Sequence, residues 1–357
     1  MTRRPVSCLM SDKTCQFLHT NGKNAKLIAG CATPCPAQKD GGVVEPELSR
    51  MAGDLVDTQA TDGVTKLGLG DAVILWRSHP SAIEGALYRP LLCMVMQGAK
   101  EVMAGTHRVH CPAGHAIIVS HDLPVLSRIT EASPDKPYAA FVLPIDLGLL
   151  RSFYDLVPDF DDGQQDMAAL RSYPADAGLT GAVARFLALA GGDVAAALLG
   201  PILLREIHAR LLVSAQGAIL RRFLRRDDPS NHLARAIASI RSSINEPLSV
   251  SDLAAQAGMS KSSFHAHFKA VTGQTPGQYQ KDVRLLEARR LVMESSDAIS
   301  SVAFDVGYES PAQFSRDYAR KFGHSPREDR HQGRARTRAT PGAAMPARER
   351  PTAGARQ

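Results

Sequence analysis

Gln313, Arg316 and Arg320 follow one another at intervals of three and four residues. On an α-helix that spacing gathers an amide and two guanidinium groups on one face. The chemistry open to such a face is base reading. An amide can bond the N6/N7 edge of adenine, and a guanidinium the O6/N7 edge of guanine. Pro311, Ala312 and Ser315 belong to the same stretch. Upstream, Lys261, Ser262, His265, Ala266 and Lys269 make a second face, poorer in strong base readers. Lys261, Lys269, Arg320 and Lys321 suit phosphate, which sets affinity without reading sequence. Taken singly, each of these side chains reads equally well as part of a solvated helix face.

The elements that carry them decide the matter, because they form a repeat. LAAQAGMSKSSFHAHFKAVTGQTP (Leu253–Pro276) lines up with VAFDVGYESPAQFSRDYARKFGHSP (Val302–Pro326). Gly258 matches Gly307, Ser260 Ser310, Phe264 Phe314, Phe268 Tyr318, Gly273 Gly323 and Pro276 Pro326, with Glu309 as the one extra residue. Each copy reads as helix, tight turn, helix. Ser249 and Ser260 are N-caps of the first copy, and Gly258 supplies the positive φ between its helices. Ser310-Pro311-Ala312-Gln313 starts the second helix of the other copy as a capping box with Pro at the first position, and Gly323 ends it. QKDVRLLEARRLVMES (Gln280–Ser295) reads as one joining helix, about 20 Å long. A spacer of that size suits two second helices in successive major grooves, about 34 Å apart.

Upstream the pattern changes. AVILW (Ala72–Trp76), LLCMVMQG (Leu91–Gly98), KEVMAG (Lys100–Gly105) and HAIIVS (His115–Ser120) are short apolar runs separated by Gly and Pro, the pattern of a small barrel. Cys111-Pro112-Ala113-Gly114 is expected to turn the chain before a buried strand. From Leu179 to Leu224 the period is helical, with Leu203, Leu204, Ile207, Leu211 and Leu212 on one stripe. Gly200-Pro201 is expected to open that helix. Arg221–Asn231 reads as a charged linker with a Pro stop.

The C-terminal repeat resembles the DNA-binding domain of AraC/XylS-type transcriptional regulators, carried by residues 248–276, RLLEARRLV (Arg284–Val292) and residues 306–329. Tyr88–Lys100, Pro112–Val125 and Arg205–Arg222 resemble the AraC-type N-terminal, cupin-like sensor domain. Together these cover about two-thirds of the chain. The resemblance implies an α+β multidomain protein: an N-terminal cupin-like β-barrel, a helical linker, and an all-α C-terminal domain with two helix-turn-helix motifs. The expected boundaries are an extension over 1–50, disordered or untranslated with Met51 as the start; a sensor over 51–177; and a coupling or dimerisation segment over 178–229, whose stripe reads equally as core. The double helix-turn-helix domain follows over 230–330, then a disordered Arg-rich tail over 331–357. The resemblance further implies a sequence-specific regulator that binds double-stranded promoter DNA and answers to a small-molecule effector, with RNA polymerase and a second copy of the chain as further partners. Lys261, Ser262, His265, Lys269, Pro311, Gln313, Ser315, Arg316 and Arg320 are the expected DNA contacts.

The alternative is a cupin-type metalloenzyme carrying a DNA-binding domain. Such a metal needs His and carboxylate groups converging inside the barrel. His107 and His110 are three residues apart, so on a strand they point to opposite faces; His115 and His121 lie beyond turns. No catalytic residue, metal or cofactor is therefore expected. Neither Gly-x-Ser-x-Gly, a phosphate loop nor His-Glu-x-x-His occurs in the sequence. Of Cys8, Cys15, Cys31 and Cys35, the last two alone have zinc spacing, and no zinc site is expected. Cys93 reads as a small buried hydrophobe or as a thiol sensing electrophiles. Tyr88, Arg77 and Trp76 are candidates to line an effector pocket.

Composition sets the outer limits. The 357 residues are 44% hydrophobic and 22% charged, which excludes wholesale disorder. The net charge is +6, and most of the excess lies in Arg334, Arg336, Arg338, Arg348, Arg350 and Arg356, set against Glu349. The longest apolar runs are too short to span a membrane. The basic start lacks an apolar core, so no secretory signal is expected, and the cysteines are read as reduced thiols of a cytoplasmic protein.

Overall fold

The computed structural model of the chain describes residues 8–11, 14–17, 20–21, 24–25, 44–56, 62–153, 156, 167–190, 194–224 and 228–331. Cys31, Cys35 and the tail arginines from Arg334 onward lie outside the described residues. The chain divides into two units, Met1–Gly42 and Val43–Gln357. The first holds two antiparallel ribbons, β1 (Cys8–Ser11) with β2 (Thr14–Phe17) and β3 (Thr20–Asn21) with β4 (Asn24–Ala25).

The second unit opens with α1 (Val44–Leu55), so the expected boundary at residue 50 falls inside a helix. Leu48 and Ala52 are buried there, one turn apart, against the helical face of the sheet behind them. Ten strands follow: β5 (Asp62–Lys66), β6 (Val73–Arg77), β7 (Glu84–Tyr88), β8 (Leu91–Gln97), β9 (Ala99–Ala104), β10 (His107–Pro112), β11 (His115–Val119), β12 (Leu123–Glu131), β13 (Tyr138–Pro144) and β14 (Leu170–Pro174). They form two antiparallel sheets, ordered β10-β9-β12-β7 and β14-β11-β8-β13-β6-β5. Cys111 and Pro112 complete β10, so the turn into β11 is shorter than expected.

Alternation along β8 explains the layering. Leu92, Met94 and Met96 point to a helical layer, whereas Cys93 and Val95 point between the sheets. That layer comprises α1, α2 (Leu147–Arg151), α3 (Ala177–Ala188), α4 (Val194–Val213) and α5 (Ala218–Leu224). The expected stripe on α4 faces this core: Ile207, Leu211 and Leu212 are buried, and Leu203 and Leu204 pack at its edge. Gly200-Pro201 does not open α4 but lies within it, and Pro201 is exposed, where water can meet the carbonyl its missing N–H leaves free. Gly200 is buried against Leu69, and an added Cβ would come within 2.8 Å of its side chain. The linker is shorter than the sequence suggests, because α5 runs to Leu224 and Pro229 starts α6 (Pro229–Ser242). None of the helices among the described residues is long and apolar enough to cross a membrane.

The C-terminal helices are α7 (Val250–Gln256), α8 (Lys261–Thr272), α9 (Pro276–Glu294), α10 (Ile299–Asp305) and α11 (Pro311–Phe322), followed by a helical turn over 326–331. Their cores differ in connection. Phe264, Phe268, Tyr279 and Val283 belong to the same apolar cluster as Val102, Ile117 and Val125 of the barrel. Val302, Val306, Phe314 and Tyr318 form a separate cluster with Leu285, Ala288 and Val292 of α9. The first helix-turn-helix thus shares the barrel's core, and the second has its own.

Candidate functional site

Local chemistry shapes both helix-turn-helix units as the repeat implies. Ser249 accepts from the Asp252 N–H at 3.3 Å, and Ser260 from the Ser263 N–H at 3.2 Å. Gly258 turns the chain with φ +65° and Gly307 with φ +85°, a region closed to most L residues. Ser310 accepts from the Gln313 N–H at 3.4 Å, which is one half of the expected capping box. Among the described hydrogen bonds the reciprocal half does not form, and the Gln313 amide is left to solvent. Aromatic pairs fix each second helix: Phe264 lies 5.6 Å from Phe268, and Phe314 lies 5.5 Å from Tyr318. With these rings inside, the polar face of each helix must point outward.

On α8, Lys261, Ser262, His265, Ala266 and Lys269 are all exposed. On α11, Ala312, Gln313, Arg316 and Arg320 are exposed, and Pro311 and Ser315 are half-buried. The Ser315 hydroxyl donates to the Pro311 carbonyl at 2.9 Å, so it is engaged within its own helix. Arg320 reaches Asp317 at 3.3 Å, yet its side chain remains 74% exposed. Lys321 departs from the expectation. Its ammonium pairs with Asp282 of α9 at 3.0 Å with 11% of the side chain exposed, so it clamps α11 to α9 rather than facing phosphate.

The joining helix is longer than expected. It has 19 residues, about 28 Å at 1.5 Å per residue, because Thr275 caps it and Pro276 takes its first position. Arg284 on α9 ties the two copies together. Its guanidinium donates to the Ile244 carbonyl, to Glu246 at 2.9 Å and to Gly307 at 2.9 Å. Lys281 adds an ion pair to Asp317 at 2.8 Å.

Between the two sheets lies a second polar group. Tyr88, Cys93 and Arg77 all come from strands of these sheets, and Lys100 and Tyr138, which were not among the expected effector residues, join them. Lys100 is 5% exposed and donates to the Tyr88 hydroxyl at 3.0 Å. Tyr138 is fully buried, sits opposite Arg77 in the β6–β13 pair, and its hydroxyl has no hydrogen-bond partner. Burial pushes its phenol above the usual range. Arg77 donates to the Trp76 and Gly63 carbonyls at 2.9 and 3.1 Å. Trp76 itself packs with the helical layer instead. Cys93 is 2% exposed. Cys111, opposite Lys100 in the β9–β10 pair, is pushed up to about 12 by burial, with the neighbouring Cys93 adding to the rise. The available signal was Lys100 in alternation with Val102 and Ala104, the positions of β9 that face the core.

The barrel histidines separate as strand alternation requires: His107 is half-buried and His110 exposed on β10. His121 is buried, its Nδ1 2.9 Å from the Ser120 hydroxyl. Among the described residues, His, Cys, Asp and Glu form no group of three or more placed to hold a metal ion.

Twin helix-turn-helix units, each with a Ser-capped second helix, joined to a two-sheet barrel define the class of helix-turn-helix regulators. Two family models match: AraC-type transcriptional regulator N-terminus over residues 71–219, and helix-turn-helix domain over residues 253–332. The regulatory protein SoxS of Escherichia coli is 37% identical over 95 residues, which is 27% of this chain and 89% of SoxS. The transcriptional activator RhaS of Escherichia fergusonii is 38% identical over 104 residues, 29% of this chain and 36% of that protein. The chain spans about a third of the length of RhaS and of the Pseudomonas aeruginosa regulator ArgR, which it matches at 33% identity. A crystal structure of ToxT from Vibrio cholerae aligns with TM-score 0.46 and 10% identity over 71% of this chain and 96% of that one. The chain belongs to the AraC/XylS family of transcriptional regulators.

Proposed function

We propose that the protein is a sequence-specific DNA-binding regulator of transcription, not an enzyme, and that a small molecule bound between its two sheets controls it. The observation that carries this reading is the pair of exposed polar faces, Lys261–Lys269 and Gln313–Arg320, held in matching capped frames on either side of α9. Gln313 and Arg316 are the base readers, and Lys261, Lys269 and Arg320 hold phosphate. Ser262, His265, Pro311 and Ser315 complete the contact surface.

Control follows from the shared core. The barrel and the first helix-turn-helix pack as one cluster, so a ligand that shifts the sheets biases how that unit is held relative to the second. RNA polymerase is the partner of an activator, the role that RhaS carries in its name. A second copy of the chain is the further partner. On α4, Val194, Leu198 and Ile202 recur every fourth residue at 77%, 68% and 62% exposure, an apolar stripe that a dimer contact would cover. The cytoplasm is the compartment this activity requires.

Genome-wide mapping of bound DNA tests the reading, with retention of the recovered fragments by purified protein at rising salt. A shared sequence motif and salt-sensitive retention are expected. Uniform retention of scrambled fragments, or none at any salt, overturns it.

A further inference from the structure

Lys100 holds a buried charge that the fold does not neutralise. Among the described residues no carboxylate pairs with it. The adjacent Glu101 lies on the opposite face of β9 and is bound by Arg128 at 2.8 Å. Among the described residues the one hydrogen bond from the Lys100 ammonium goes to the Tyr88 hydroxyl, which lies 3.4 Å from the Ser127 hydroxyl. Burial penalises a charge on this amine, while the nearby Tyr138, Tyr88 and Cys93 favour it and shift the amine upward from its ordinary range. An ammonium carries three N–H donors, so two remain unused. Tyr138 supplies a further unused O–H, fully buried and within electrostatic range of Lys100. Arg77 is not a second counter-charge of the same kind, because its guanidinium is engaged by two backbone carbonyls. The apolar side chains Val95, Val102, Val125 and Ile129 belong to the cluster packed between the sheets.

We infer that the space between the sheets takes a monocarboxylate with an apolar body, its carboxylate seated on the Lys100 ammonium and the Tyr138 hydroxyl. This rests on the reading of the barrel as the effector site. One positive charge with three free donors matches one carboxylate, which has a single negative charge and several acceptor lone pairs. A phosphate dianion would leave a buried charge over. An uncharged effector would leave Lys100 as it stands.

Thermal unfolding of the full chain tests the inference, with octanoate, benzoate and phenylpropanoate at millimolar concentration as probes, each against its primary amide. At least one acid is expected to raise the unfolding midpoint while its amide does not. Lys100→Met, which keeps the stem without the charge, removes that response and leaves the unliganded chain at least as stable as the parent. Tyr138→Phe weakens the apparent affinity several-fold and spares the unliganded stability. Three results overturn the inference: no acid raises the midpoint, acid and amide act alike, or Lys100→Met destabilises the unliganded chain. Retention of DNA by the same protein without any acid separates the two readings. Intact DNA retention with a failed acid response removes the carboxylate and leaves the regulator; an amide response that survives Lys100→Met leaves an effector site for uncharged ligands.

Discussion

The Tyr279 hydroxyl donates to the carbonyl oxygen of Asp122 at 2.8 Å, joining the connecting helix α9 to the end of a barrel loop. The Asp122 carboxylate in turn pairs with Arg241 of α6, and both side chains of that pair are largely buried. One residue of the barrel therefore holds two helices of the DNA-binding half. Asp122→Ala should cost about 1–3 kcal/mol, between the value of an exposed pair and that of a buried one left without its partner. Tyr279→Phe should cost about 1 kcal/mol. Urea unfolding of the single variants and of Asp122→Ala with Arg241→Ala checks this, and strictly additive losses would show that the pair is not coupled.

The two repeats supply a matched control for the contact between barrel and first helix-turn-helix. Gly273 ends α8 with φ +76° and Gly323 ends α11 with φ +80°, so an Ala at either meets the same backbone strain, about 1–2 kcal/mol. Their surroundings differ. The Gly273 carbonyl accepts from the Thr106 N–H and the Thr106 hydroxyl, each at 3.0 Å, and a Cβ on Gly273 would overlap the Ala104 carbonyl oxygen. Around Gly323 nothing lies within 4 Å of such a Cβ. Gly273→Ala should therefore destabilise the chain more than Gly323→Ala. Equal losses would mean that the β9–β10 turn yields freely and that this contact does not fix α8.

Why these pieces were unequally legible is a matter of range along the chain. The caps at Ser249, Ser260 and Ser310, and the glycines at 258, 307 and 323, act over three or four residues, so sequence alone carries them. The proximity of Lys100 and Tyr138 was hidden because β9 and β13 belong to different sheets, which only the tertiary fold brings face to face. Strands β7, β12 and β14 were missed for a related reason: Gly85, Ser127, Arg128 and Ser172 break the apolar run, and neighbours supply the burial. Lys321 misled because its place on a basic helix surface says nothing of Asp282, which comes from another helix. Pro201 misled because an exposed proline is tolerated within a helix that packing holds from its other side.

The DNA contacts proposed above divide by chemistry. Arg316 is exposed on α11 with a guanidinium free to reach a base edge, so Arg316→Ala should relax preference at one base position at a cost of about 1–3 kcal/mol. Lys269→Ala should weaken operator and scrambled DNA alike. Equal losses on both DNAs for both variants would refute the division.

Arg320 and Lys321 adjoin in sequence and should separate in experiment. Arg320→Ala should lower the dependence of log K on log salt by about one, as loss of one phosphate contact requires. Lys321→Ala should leave that slope unchanged and lower thermal stability, since its ammonium is spent on Asp282. A fall in slope from Lys321→Ala would place that lysine on DNA instead.

His208 gives the barrel a dependence on pH. Its Nδ1 lies 2.7 Å from the Leu204 carbonyl oxygen and its Nε2 3.0 Å from the Asp146 N–H, which together require a neutral ring with the proton on Nδ1. Burial lowers its pKa from the ordinary 6.5, against the pull of the Leu204 carbonyl and of Asp146. In the unfolded chain the ring takes up a proton as pH falls through 6.5, and the folded chain resists until lower pH. The stabilising contribution is thus complete above 6.5 and shrinks as pH drops toward the folded value. His208→Gln, which can still donate and accept, should flatten the fall in unfolding free energy across that window. The difference between the curves of the parent and the variant isolates His208. Parallel curves would mean that the ring accepts its proton in place, with Asp146 turning to receive it.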